Sequence, residues 1–239
     1  VSIDLAVDTL FADMEARLKK IKPNIFMGQK FSVVGPNLVS YQNFLTGFVG
    51  VENTQVVREK MVNNRLLYGK YTPFMEVVAI NPRESVEDIA RKLQSVLFGN
   101  PYLSFYLTTL PEASRQTIRF WLDYWKKNHD VIFEGSFEPM QVSRFYPVIK
   151  VENEQKMIYR LFEDYTVNLP VLLTKSIDII NSKTTGKIQF MLNKPDAQYN
   201  YEIFNCKGES IEKGIVKSKN KNAVDFTVPT AGFIRVTPI

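Results

Sequence analysis

Over its first 130 residues the sequence alternates between stretches with helical spacing and short apolar runs, and after about residue 140 it does not. In 4–21, Val7, Leu10, Phe11, Met14, Leu18 and Ile21 recur three and four positions apart, which predicts an amphipathic helix. Asp4 can cap its start and Pro23 follows its end. The run 24–27 reads as a buried strand, Gly35-Pro36 opens a turn or short helix through Tyr41, and Phe44-Leu45 begins another strand. A helix is expected over 54–67, then a strand over 74–80 that Asn81-Pro82 breaks. Ser85, with Asp88 three residues on, starts a helix whose apolar face is Val86, Ile89, Ala90, Leu93 and Leu97. A strand follows over 102–107, and a long helix over 111–129 carries Ile118, Trp121, Leu122 and Trp125 on one stripe.

Such alternation argues for βα units on a parallel sheet. About four strand–helix units fit into the first 138 residues, and a complete barrel of eight needs about 250 residues, so there is room for half of one. The remainder, 139–239, is a series of short β-type runs at 148–151, 157–162, 171–173, 188–192, 199–204, 211–216, 223–228 and 233–236. Turn residues such as Lys207-Gly208 and Ala231-Gly232 separate them, the pattern of an antiparallel β-sandwich. The expected fold is therefore α/β plus all-β: residues 1–138 as the C-terminal half of a (β/α)8 TIM-type barrel, followed by a sandwich at 139–239. Half a barrel has two open sheet edges. The missing N-terminal barrel half, or another copy of the chain, is expected to complete it.

Several chemistries are excluded early. The net charge of +5 is spread out, and its densest group, Lys213, Lys217, Lys219 and Lys221, lies among strand-type residues as in a solvated hairpin. No basic stripe with interleaved aromatics is present, so no nucleic-acid partner is expected. A single cysteine, Cys206, excludes an internal disulfide and a cysteine-based metal site, and His129 is the one histidine. No metal or organic cofactor is expected. No apolar run approaches the ~20 residues that span a bilayer.

Several segments resemble, in order, the melibiase-type α-galactosidases of glycoside hydrolase family 36 and clan D. They are Arg65-Leu66-Leu67-Tyr68-Gly69-Lys70, Ala79-Ile80-Asn81-Pro82, Val96-Leu97-Phe98-Gly99-Asn100-Pro101, Leu110-Pro111-Glu112, and the stretch from Arg119 to Val131 that contains Trp121, Asp123 and Trp125. The resemblance covers roughly residues 1–150. It implies a barrel parent with its site at the C-terminal strand ends. It also implies retaining hydrolysis of α-galactosides or related glycosides by two carboxylates about 5–5.5 Å apart. The nucleophile of such a parent would lie upstream of Val1.

The acid/base would fall in the stretch from Phe48 to Arg58, where Glu52 is the best substitute and Arg58 matches the family's helix arginine. The methylene that distinguishes Glu52 from an aspartate moves the carboxyl by roughly 1.5 Å. An alternative register puts Val49 at the acid position and Thr46 at the arginine position, and then the acid is lost. Glu52 also reads simply as a carboxylate favoured at a helix N-terminus. Gln29, Lys30, Glu76 and Asn81 are the remaining candidates for contact with a carbohydrate, the first two after a strand, Glu76 within one and Asn81 at its end. Asn81 reads more readily as a cap for the turn before Pro82. Trp121, Trp125 and His129 read as helix packing. Two functions stay open: part of a glycoside hydrolase, or a catalytically degenerate relative that binds glycans or acts as a scaffold.

Overall fold

The computed structural model of the chain describes residues 2–30, 44–46, 53–68, 74–171, 174–218 and 223–239. They fall into two compact units, residues 1–79 with 99–104, and residues 80–98 with 105–239.

In the first unit, helix α1 (Ile3–Ile21) is capped by Ser2, whose hydroxyl accepts from the Asp4 amide at 3.2 Å. Asp4 sits in the first turn, where its charge suits the helix dipole, and is not itself the cap. No residue of α1 is buried, and Leu10, Met14 and Ile21, expected on an inward face, are exposed. The expected strand at 24–27 is instead the exit from α1. Lys22 and Ile25 close backbone turns onto Leu18 and Lys22, Phe26 is exposed, and pairing begins at Gly28.

Strands β1 (Gly28–Lys30), β2 (Phe44–Thr46), β3 (Phe74–Val78) and β4 (Asn100–Leu103) form one parallel sheet in sequential order. Lys30, Thr46, Met75 and Asn100 make one row across it. Helix α2 (Thr54–Tyr68) connects β2 to β3. The expected strand at 102–107 starts earlier and ends at Leu103, because Pro101 is accepted on an edge strand that needs no donor on its outer side. The expected turn or helix at 35–41 lies outside the described residues.

The second unit contains helices α3 (Val86–Ser95), α4 (Glu112–Lys127) and α5 (His129–Phe133), followed by ten strands. Ser85 caps α3 by accepting from the Asp88 amide, and its hydroxyl donates to the Asp88 carboxylate at 2.7 Å. The long helix expected through residue 129 breaks at Asn128, whose side-chain amide donates to the Tyr124 carbonyl at 2.7 Å and so competes with the helix ladder.

The strands are β5 (Ser136–Met140), β6 (Val148–Glu152), β7 (Lys156–Leu161), β8 (Thr166–Asn168), β9 (Ser176–Asn181), β10 (Lys187–Met191), β11 (Gln198–Phe204), β12 (Ser210–Lys217), β13 (Ala223–Thr227) and β14 (Phe233–Pro238). They form a seven-stranded sheet, β12-β11-β14-β9-β7-β6-β5, and a three-stranded sheet, β13-β10-β8. The expectation of purely antiparallel pairing is corrected by two parallel pairs, β7 with β9 and β8 with β10. The expected strand at 171–173 is not one at Val171, which is exposed, and its other two residues lie outside the described residues.

The seven-stranded sheet has two different faces, as a period of two requires. Met157, Tyr159, Leu161, Ile177, Ile179, Ile234 and Val236 join Val167, Ile188 and Phe190 of the smaller sheet in one apolar core. The opposite face presents Phe204, Phe233, Arg235 and Asp178 toward α4. Phe233 stacks on Phe204 at 4.4 Å and on Phe120 at 6.1 Å between ring centres. The buried Trp121 donates its ring N–H to the Cys206 carbonyl at 2.9 Å. Gly208, in the β11–β12 turn, has φ +79°, and a Cβ there would lie 2.1 Å from the Phe120 ring. Helix α3 is fastened through buried Gln94, which donates to the Ala231 carbonyl at 2.8 Å and accepts from Ser182 at 2.7 Å.

Candidate functional site

In a parallel sheet with helical connections, ligands gather at the carboxyl ends of the strands. In the first unit those ends follow Lys30, Thr46, Val78 and Leu103. Gln29 and Lys30 close β1, beside Leu45 and Thr46 of β2. Glu76 lies in β3 opposite Pro101, one residue beyond the row that contains Lys30. Glu52 and Val49 lie outside the described residues. Just after them, the Asn53 side chain accepts from the Gln55 amide at 2.8 Å and starts α2.

Arg58 is 5% exposed, on the same face of α2 as Val57, Met61 and Val62. Seven residues on, Arg65 is pulled down to about 10 by burial. An arginine keeps its charge at such positions, so two cations are built into an otherwise apolar helix face. Asn81 is exposed. Its backbone N–H donates to Glu84 at 3.1 Å, and its side-chain oxygen accepts from the Arg83 amide at 2.9 Å, the hydrogen bonding of a turn cap. In the second unit, His129 and Phe133 are in ring contact at 4.6 Å, and Trp125 meets His129 edge-on at 5.5 Å. Among the described residues no group of carboxylates, His and Cys could hold a metal ion. No described helix is long and apolar enough to cross a membrane.

The most elaborate polar arrangement lies in the second unit and was not anticipated. Asp178, fully buried in the middle of β9, accepts two hydrogen bonds from Arg235, at 2.7 and 2.9 Å. It also faces the Lys156 ammonium at 2.7 Å and the Tyr124 hydroxyl at 2.7 Å. Burial alone would raise the Asp178 carboxyl, but the hydrogen bonds and charges of Arg235 and Lys156 outweigh it and hold the group below its ordinary value. Burial first, and the Asp178 charge second, push the Tyr124 hydroxyl well above the usual tyrosine value. The arrangement has no open reacting position, and its chemistry is that of a buried, fully paired carboxylate. The available signal was a lone aspartate inside Ile177-Asp178-Ile179-Ile180 and a lone arginine inside Phe233-Ile234-Arg235-Val236.

No protein-family model matches the chain, and no curated protein matches it in sequence. In three dimensions it is similar to an α-amylase from Anoxybacillus described as pointing to a new glycosyl hydrolase subclass. The TM-score is 0.59 at 12% identity, over 97% of this chain and 56% of that one. It is also similar to an α-amylase from Geobacillus thermoleovorans in complex with acarbose. There the TM-score is 0.56 at 8% identity, over 96% of this chain and 57% of that one. The chain thus has a glycoside-hydrolase-like mixed α/β fold and spans a little over half the length of these structures.

The Asp178 arrangement has a definite pH dependence. Because its folded-state pKa is depressed, Asp178 contributes stability above the unfolded value of about 3.9, and that stability is lost as pH falls through the lower folded value. Asp178→Asn is expected to cost about 3 kcal/mol at neutral pH, since it leaves Arg235 and Lys156 without their carboxylate. Urea unfolding of both proteins should show this gap unchanged down to about pH 5 and narrowing below about pH 4. A gap that widens on acidification would contradict the assignment.

Proposed function

We propose that this chain is part of a glycoside-hydrolase-like protein. In this reading, residues 1–138 are the C-terminal portion of a (β/α)8 barrel and 139–239 a β-sandwich. The observation that carries it is the sequential parallel order of β1 to β4 ahead of a two-sheet β region, supported by fold similarity to two α-amylases. The complete protein acts on α-glycosides with retention. The resemblance to melibiase-type enzymes favours α-galactosides, and the amylase-like fold adds α-glucosides as the second substrate class. Glu52 serves as acid/base, with Arg58 as its arginine partner on α2. Gln29, Lys30, Glu76 and Asn81 supply substrate contacts near the strand ends. The nucleophile comes from a preceding strand, so this chain alone is inactive, because one carboxylate cannot run a two-carboxylate mechanism.

The test is hydrolysis of aryl α-galactoside and aryl α-glucoside by the protein with its barrel complete, beside Glu52→Gln. General acid catalysis contributes about 10²–10⁴-fold, so the variant is expected to lose at least about a hundredfold in rate on the aryl glycoside that is cleaved. Equal activity in the two proteins would remove Glu52 from the mechanism. No hydrolysis by either would favour the second reading, a catalytically degenerate glycan-binding or scaffold relative.

The same reading makes the first unit incomplete by itself. Ile3, Leu10 and Ile21 of α1 are 82%, 62% and 83% exposed, and β1 and β4 are the edges of their sheet. Further barrel elements, or a second copy of the chain, cover these surfaces. Light scattering after size exclusion should therefore give the 239-residue chain a mass above 27.6 kDa. A stable monomer at that mass would overturn the partial-barrel reading.

A further inference from the structure

Toward its β12 edge, the face of the seven-stranded sheet that carries Asp178 opens into a groove of ≈ 370 Å³. That volume is within the range of about 300–1,000 Å³ typical of small-ligand clefts. The register builds the groove from two rows. Lys213, Glu202 and Arg235 are direct neighbours across β12, β11 and β14, and Ile215, Asn200 and Thr237 form the next row.

Arg235 is held rigidly. Two of its nitrogens are bonded to the buried Asp178, and its guanidinium lies 5.5 Å from the rings of both Phe204 and Phe233. Its third nitrogen, Nη1, makes no hydrogen bond among the described residues. Lys213 and Glu202, although side by side, form no ion pair with each other or with any other described residue. Ile215, exposed on β12, adds an apolar wall.

The groove therefore offers two cationic donors on either side of one carboxylate acceptor in a polar row. It also has an amide, a hydroxyl and an apolar surface alongside. Counting Lys156 and Asp178 beneath it, three cations face two carboxylates, which leaves one positive charge. A monoanion balances that charge, whereas Glu202 disfavours a dianion such as a phosphate monoester. We propose that this groove binds a hexose-sized sugar acid, a uronate. Its carboxylate is taken by Lys213 and the free nitrogen of Arg235, and its hydroxyls by Glu202, Asn200 and Thr237. Its C–H surface lies on Ile215. The site is independent of Glu52 and of any hydrolytic activity, so its test stands apart from that of the proposed reaction.

The test is calorimetric titration of the 239-residue chain with D-glucuronate, D-glucose and acetate. Hydrogen bonds to charged groups imply that glucuronate binds at least about tenfold more tightly than glucose. The hydroxyl contacts imply that it also binds more tightly than acetate. Lys213 is exposed on an edge strand, so Lys213→Ala should keep the circular dichroism spectrum and lose about tenfold in glucuronate affinity. Thr237→Val should weaken glucuronate and leave acetate unchanged. Glucuronate binding no tighter than acetate, no tighter than glucose, unchanged in Lys213→Ala, or absent would each overturn the proposal.

Discussion

One buried carboxylate organises the second unit. Asp178 sits in a central strand with no access to water, and a charge there is tolerable only with close partners of opposite sign. Arg235 comes from the neighbouring strand β14 and Lys156 from the parallel neighbour β7, so the cations tie three adjacent strands together. Tyr124 comes from α4 and brings the helix onto the same carboxylate. The interaction joins elements 22 to 57 residues apart in sequence and places α4 along the sheet at one definite position. Apolar contact alone does not specify position so sharply, because rings and methyl groups slide at small cost.

The rest of that face follows from this anchor. With Tyr124 fixed, Trp121 one turn earlier reaches the Cys206 carbonyl, and Phe120 lies on the turn where only Gly208 leaves room for its ring. Phe233 and Phe204 of the Phe120–Phe233–Phe204 stack then flank the guanidinium of Arg235. The opposite face of the same strands carries Ile177, Ile179, Ile234 and Val236 into a wholly different, aliphatic core. Strict alternation lets one strand serve both, provided the register does not slip. A slip of one residue would put Asp178 among the isoleucines. The same Arg235 that closes the buried arrangement also lines the groove toward β12, so the rigidity of one becomes the preorganisation of the other.

Much of the frame was legible from residues alone. Helix α3 was marked by Ser85 and Asp88, α2 by its spacing, and the hairpin of β11 and β12 by Lys207-Gly208. Strand β9 was not read, because the aspartate at its centre looks like an interruption until its partners, from β7, β14 and α4, are known. Helix α4 was read with only part of its stripe for a related reason: Ile118 and Trp121 are buried as expected. Leu122 and Trp125 are only partly buried, while Ser114, Thr117, Tyr124 and Asn128 are buried. Thr117 and Asn128 satisfy their own polar groups on carbonyls four residues back, and Tyr124 does so on Asp178. Polarity is a poor guide to burial where such partners exist. Of the site residues, Arg58 shows the same effect: a charged residue on the buried face of α2 is invisible to a hydrophobic pattern. The strand ends were legible as places, through the alternation of helix and strand, but the chemistry at them depends on carboxylates that periodicity cannot assign.

Asp178 couples the helix to the sheet through Tyr124. A double-mutant cycle of Tyr124→Phe with Asp178→Asn, followed by urea unfolding, measures that coupling most directly. A hydrogen bond to a charged, buried acceptor predicts a coupling of about 1.5–3 kcal/mol between the two positions. Additive losses, with no coupling, would mean that α4 is held by its ring packing and the Trp121 hydrogen bond to Cys206, and that the buried carboxylate serves the strands only.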